Sequence, residues 1–205
     1  MDSRRLTPTL AALALALSAC QQQKSAPPVT SDEMSLGNPQ AKVTVIEYAS
    51  VACPFCARFN NEEFPAFKAK YVDTGKVHYV FREMLVGGSE EVSMGAAGFL
   101  MARCAGKDKY FPILDQTFHA QQQIYQSGDM RGGLLKIAKA NGMSEKQFVD
   151  CVSNSDSLVA MNARSDKATA NGVDSTPTFF VNGKKVFEGV IPLDQLEADV
   201  HDAGA

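Results

Sequence analysis

Apolar residues recur along this chain in two rhythms. From Lys42 to Tyr48 the run K-V-T-V-I-E-Y is rich in β-branched residues and reads as a largely buried strand. After it Phe59, Phe64, Phe67 and Tyr71 fall near helical spacing and stop before Asp73-Thr74-Gly75, which predicts a helix. Pro54 falls in the first turn of that helix, where a missing N–H does no harm; Pro65 falls inside it and should kink it. Val77 to Arg82 reads as the next strand and closes a β-α-β unit.

From about Val86 to Asn171 the pattern is helical, with Gly95 to Cys104, Tyr110 to Gln123, Met130 to Ala140 and Ser144 to Val152 each reading as a helix. Asn141-Gly142 ends one of these, and Ser144 with Gln147 offers a capping box for the next. Beyond Gly172 two β-rich runs flank Asn182-Gly183, a dipeptide suited to a type I′ hairpin turn. Pro192 then opens a last helix with Leu193, Leu196 and Val200 on one face. The predicted order is β-α-β, a long helical middle, then β-β-α.

With 205 residues and 45% apolar content, the chain can build one domain with a sizeable core. A formal charge of −3 and a pI near 5.6 leave no basic footprint and argue against a nucleic-acid partner. The N-terminus departs from the globular pattern. Arg4 and Arg5 precede a short apolar run that reads as a secretory signal over residues 1–19 rather than a membrane span. It ends in Leu17-Ser18-Ala19-Cys20, which resembles the lipobox of bacterial lipoproteins. That resemblance implies cleavage before Cys20 and a lipid on its sulfur. Residues 20–39 are polar and contain proline, so they read as a flexible tether reaching roughly 25 Å.

Export changes the meaning of the cysteines, because disulfides persist outside the cytosol. The chain has five, and setting Cys20 aside as the lipid carrier leaves four. Cys53 and Cys56 form a close C-P-F-C pair, while Cys104 and Cys151 are widely separated. A structural zinc site commonly uses two close pairs, and only one is present. His78, His119 and His201 are scattered, so a redox pair is better motivated than a metal. At the start of the predicted helix, Cys53 would meet unsatisfied N–H groups that favour its thiolate, leaving Cys56 as the shielded, resolving thiol. Glu47 is out of place in a core strand. Either it lies on an exposed edge, or it is a buried proton acceptor beneath the cysteine pair.

The layout resembles the thioredoxin superfamily and, within it, the DsbA-like thiol:disulfide oxidoreductases of the bacterial envelope. The residues that carry the likeness are Gly37-Asn38-Pro39 with Val43 to Tyr48, Cys53-Pro54-Phe55-Cys56, and Thr176-Pro177-Thr178-Phe179 with Asn182-Gly183. The resemblance implies an α/β thioredoxin fold over residues 40–205, with a helical domain inserted at about 86–171. It implies that Glu47 is the family's buried acid and that Pro177 is cis and faces the redox pair. Cys53, Cys56, Glu47 and Pro177 are then the catalytic set, and Pro54, Phe55, Thr176 and Pro177 the substrate-binding one. Cys104 and Cys151 fall in the insert and are expected to form a structural disulfide, worth roughly 4 kcal/mol by loop closure.

The implied activity is exchange through a Cys53–Cys56 disulfide, with no further cofactor and no metal. The implied partners are exported polypeptides with free cysteines and a membrane thiol oxidase. The implied location is the periplasmic side of a membrane, through the lipid anchor. Two departures matter. Phe55 stands where strongly oxidising members carry histidine, which predicts a milder oxidant, and Thr176 is shared with isomerase-like relatives. A reductase or isomerase of the same fold, or a non-catalytic envelope lipoprotein acting as chaperone or metal carrier, are the other readings.

Overall fold

The computed structural model describes residues 25–205, so Cys20 and the lipobox lie outside the described residues. Among the described residues five strands form one mixed sheet in the order β1-β3-β2-β4-β5. These are β1 (Met34–Gly37), β2 (Val43–Ala49), β3 (Val77–Glu83), β4 (Thr178–Val181) and β5 (Lys184–Glu188). Of these, β2 and β3 pair in parallel, joined by the helical segment 54–72 as the β-α-β pattern requires; the other neighbours are antiparallel. At the hairpin between β4 and β5, Asn182 and Gly183 take φ of 46° and 83°, the positive values a type I′ turn demands.

Alternation along β2 decides what each face does. Val43, Val45, Glu47 and Ala49 point one way, while Ile46 and Tyr48 point the other and pack with Val80, Phe180 and Ala168. The first face meets the helical segment 54–72, where Phe59 packs edge-on against Phe179 with ring centroids 4.7 Å apart. The second face is covered by Ala168 of α7 (Ser155–Ala170) and by the N-terminal segment.

The segment predicted as one helix kinked at Pro65 is not one helix. It runs as α1 (Pro54–Arg58), a π-helical turn (Phe59–Glu63), α2 (Phe64–Phe67) and a second π-helical turn (Lys68–Val72). The N–H of Phe64 reaches back to the carbonyl of Phe59, five residues earlier, which lets the chain accommodate a proline that cannot donate. The insert comprises α3 (Ser89–Cys104), α4 (Lys107–Ser127), α5 (Met130–Ala140), α6 (Glu145–Val152) and α7. Ser144 and Gln147 form the expected capping box of α6. The chain closes with α8 (Leu193–Asp202), which buries Leu196 and Val200.

The expected tether over 20–39 needs correction where it is described. Met34–Gly37 is an edge strand paired with β3, and the residues before it strap across the sheet. Arg82 holds them: its guanidinium pairs with Glu33 and donates to the carbonyls of Pro27 and Pro28. Polar composition hid this, because the few apolar residues that hold the segment (Ala26, Val29, Met34 and Leu36) are scattered among polar ones and a distant cation supplies the rest.

Candidate functional site

Local backbone preferences place the cysteine pair. The Ser50 carbonyl accepts from the Cys53 N–H at 3.1 Å, closing a turn that ends β2 and starts the helix. Pro54 follows at the first helical position, so Cys53 becomes the N-cap, with extended backbone and its side chain beside the helix start. Cys56 lies one turn on, fully buried, and its sulfur accepts from the Ser50 N–H at 3.5 Å. Both cysteines are free thiols in this structure.

Their proton affinities are pushed in opposite directions. The hydrogen bond from the Cys56 thiol does most to lower Cys53; the Thr176 hydroxyl and the N–H groups of Cys56 and Phe55 add to it, and burial opposes them. The net effect brings Cys53 to about 6. Cys56 is raised well above the ordinary thiol range by burial first, then by its bond to Cys53 and by the charges of Cys53 and Glu47. One thiol is therefore a nucleophile at neutral pH, and the other holds its proton until something removes it.

Opposite the pair, the Thr176–Pro177 peptide bond is cis, and the Thr176 carbonyl accepts from the Cys53 thiol at 3.4 Å. Pro177 is buried, Thr176 half-buried, and Phe55 is 59% exposed. Phe55 is thus the apolar surface beside the sulfur, while Pro54 is exposed at the helix start. Glu47 is 3% exposed, on a strand flanked on both sides by β3 and β4. The edge-strand reading of Glu47 therefore fails. Burial first, and then the Cys53 charge, lift its carboxyl to about 8 against the lowering effect of a hydrogen bond from Tyr79.

Residues of the insert complete the site, and the sequence did not single them out. Gln121 of α4, buried, donates to the carbonyls of Val51 at 2.7 Å and Cys53 at 3.1 Å. Tyr125, one turn on, donates to the Ala52 carbonyl between them at 3.2 Å. Three successive carbonyls of the loop are thereby tied to one helix, away from the sulfur. Gly98 of α3 permits the same closeness from another side, since a β-carbon there would lie 2.7 Å from the Val51 side chain. Cys104 and Cys151 take no part in these contacts. They are bonded to each other with Cα atoms 6.0 Å apart, joining the end of α3 to α6. Among the described residues no group of three or more His, Cys, Asp or Glu side chains is placed to hold a metal ion.

A sheet of this order, with helices inserted between β3 and β4 and a cysteine pair capping the first helix, defines a thioredoxin-type redox fold. The chain belongs to the thioredoxin family: it matches the family described as Thioredoxin over residues 29–202. It is 33% identical over 177 residues to a Rickettsia conorii protein with the provisional name protein-disulfide oxidoreductase, a match covering 85% of this chain and 61% of that one. The chain thus spans about three fifths of the length of the curated relatives it matches. Its fold matches the crystal structure of α-DsbA1 from Wolbachia pipientis with a TM-score of 0.76 at 24% identity, covering 85% of this chain and 92% of that one. BdbD from Bacillus subtilis matches with a TM-score of 0.75 at 22% identity, covering 87% and 96%.

Proposed function

We propose that this protein is a thiol–disulfide oxidoreductase that introduces or exchanges disulfides in exported polypeptides. The observation that carries the reading is the split between two thiols one helical turn apart. Cys53 is lowered to about 6 and Cys56 is raised, with Thr176 and cis Pro177 facing the first. In the oxidised form a substrate thiolate attacks the Cys53 sulfur, forming a mixed disulfide as the Cys53–Cys56 bond breaks. Cys56 leaves as a thiolate and takes a proton from Glu47. A second substrate thiolate then attacks the substrate sulfur, releasing the oxidised substrate and the Cys53 thiolate. Pro177 and the backbone around it receive the extended substrate chain, and Phe55 offers it an apolar contact. A thiolate stable at neutral pH favours the reduced enzyme and so supports the oxidase direction. A membrane thiol oxidase would restore the disulfide.

The test is to mix the disulfide form with a reduced, unfolded disulfide protein and follow the oxidation of its thiols. Stoichiometric transfer is expected from the wild-type disulfide form and none from Cys53→Ala. Reduced Cys56→Ala mixed with the oxidised form of the same substrate should trap a mixed disulfide, its Cys53 thiolate attacking a substrate disulfide and releasing one substrate thiolate. No transfer in either direction would contradict the reading and favour a non-catalytic lipoprotein.

The N-terminal sequence supports a location. We assign Cys20 as the lipidated first residue of the mature protein, held at a membrane on the periplasmic side. Among the described residues no helix is long and apolar enough to cross a membrane. Ala26 donates to the Gly183 carbonyl at 2.9 Å, at the hairpin end of β4, whereas the Thr178 end of β4 follows Pro177 beside Cys53. From Cys20 to Ala26 the chain reaches at most roughly 20 Å. An anchor at Cys20 therefore turns the hairpin end toward the bilayer and the redox pair away from it. Mass spectrometry of the mature protein is expected to find a lipid on an N-terminal Cys20; an unmodified cysteine, or a start elsewhere, removes the anchor and leaves the redox reading intact.

A further inference from the structure

Glu47 and Tyr79 share the face of the sheet beneath the cysteine pair. Val45, two residues before Glu47 on β2, pairs in register with Tyr79 on β3, so the tyrosine is a diagonal neighbour of the acid. The Tyr79 hydroxyl donates to the Glu47 Oε2, and both side chains are almost completely buried. The phenol ring is held from two other elements. Phe64 of α2 lies 4.6 Å from it between ring centroids, and Phe111 of α4 lies 6.4 Å away. Ring rotation is thereby restricted and the hydroxyl stays aimed at the carboxylate.

The titratable groups facing this pair are few. Cys53 and Cys56 face Glu47 from the redox helix, and Cys56 and Tyr110 of α4 face Tyr79. Among the described residues no lysine or arginine is one of them, so Glu47 is a buried acid whose close hydrogen-bond donor is neutral. Burial alone would hold the proton on Glu47 across the neutral range, and a carboxylic acid that never ionises cannot accept a proton from Cys56. A donor to the ionised carboxylate offsets part of that burial.

We propose that Tyr79 is a positioning residue of the exchange reaction: its hydroxyl fixes the Glu47 carboxylate and sets the pH at which Glu47 accepts the Cys56 proton. The inference rests on the oxidoreductase reading and adds the group that regulates its buried base. The step concerned is closure of the disulfide. With Cys53 in a mixed disulfide, Cys56 gives its proton to Glu47 and its sulfur attacks the Cys53 sulfur. The Cys53–Cys56 bond forms, the bond from Cys53 to the outside sulfur breaks, and the outside thiolate departs to be protonated by solvent. Tyr79 keeps its own proton throughout.

The test uses oxidised glutathione as the probe and the reduced wild-type protein. The rate at which the Cys53–glutathione mixed disulfide closes is measured against pH. Tyr79→Phe keeps the ring and removes the donor. Its pH midpoint is expected to rise by about one unit, which makes closure about tenfold slower below the midpoint, with an unchanged rate at high pH. Site-specific 3-fluorotyrosine at position 79, a stronger donor of nearly the same shape, is expected to move the midpoint down and covers the case in which Tyr79→Phe folds poorly. In a Glu47→Gln background the midpoint attributed to Glu47 disappears, and adding Tyr79→Phe should change nothing further. An unmoved midpoint in both Tyr79 variants, or the same shift in the Glu47→Gln background, overturns the inference. If the wild-type protein forms no mixed disulfide with glutathione, the oxidoreductase reading itself falls; normal closure with no Tyr79 effect removes only the role given to Tyr79.

Discussion

Cys53 and Cys56 sit one turn apart on a single helix, whereas Cys104 and Cys151 join two helices across 47 positions of chain. The first pair is surrounded by groups that change its chemistry. Cys53 caps a helix, receives the Cys56 thiol and faces Thr176, and the acid Glu47 lies beneath the pair. The second pair has structural neighbours. Arg103, beside Cys104, and Arg164 of α7 both grip the buried Glu83 at the end of β3, and the Tyr110 hydroxyl joins them at 2.9 Å. There the sheet, α3, α4 and α7 meet, and the disulfide adds α6 to the same assembly. On the proposed reading the first pair is a tool and the second a fastener. What separates the roles is which groups stand ready to stabilise the broken form.

The largest effects should come from exchanging the treatment of the two pairs. Replacing Cys53 with alanine is expected to abolish exchange. Replacing Cys104 and Cys151 together should spare exchange and lower unfolding stability by about 4 kcal/mol, as loop closure predicts. Urea denaturation beside an exchange assay reads both quantities. A large loss of activity with stability unchanged would reverse the roles assigned here.

Glu47 gives a somewhat smaller effect of unusual sign. Its carboxyl is raised to about 8 in the native state, while an unfolded glutamate titrates at about 4.3. The native state therefore binds this proton more tightly than the unfolded state. The resulting stability is complete below ~4.3 and drains away as pH rises through about 8. Glu47→Gln carries no such penalty, so it should gain roughly 3 to 4 kcal/mol at pH 7 and flatten the stability profile over that window. Denaturation across a pH series would expose the opposite result, a variant no more stable than its parent.

The smallest effect concerns Phe55, whose N–H assists Cys53 while its ring is exposed and uncharged. Phe55→His should lower the Cys53 pKa and raise the reduction potential together, by about 30 mV for each unit. Thiolate absorbance against pH, paired with a redox titration, checks the link. If neither moves, the Cys56 bond and the Thr176 hydroxyl already fix the thiolate, and the ring serves only as a contact surface.

Much of the redox site was legible because its cues are local. The Cys-x-x-Cys spacing, Pro54 at the first helical position, Glu47 inside a β-rich run and the Thr176-Pro177 pair each carry their meaning within a few residues. The Asn182-Gly183 turn and the Ser144 capping box were readable for the same reason. What escaped notice is held by long-range polar contacts. Gln121 reads as an ordinary helix residue, and Tyr125 lies just past the predicted end of that helix, until folding brings them to carbonyls about 70 positions away. Helix α7 buries Met161, Ser165 and Ala168 along a stripe whose small and polar members give almost no hydrophobic rhythm. Its one local cue was Asn154, which caps it by accepting from the Ser157 N–H at 2.8 Å. Strand β1 was missed because four residues, Met34–Gly37, are too short for a pattern, and its strap depends on Arg82 nearly 50 positions later.

The most direct test of the contrast between the two pairs is a redox titration with every cysteine followed separately. The protein is equilibrated in mixtures of reduced and oxidised glutathione, alkylated, and mapped by mass spectrometry. The expected result is that Cys53 and Cys56 become reduced together within the range that glutathione can reach, while Cys104 and Cys151 stay bonded until far more reducing conditions. Simultaneous opening of both pairs, or a Cys53 that stays unreactive to the alkylating agent after reduction, would contradict the account.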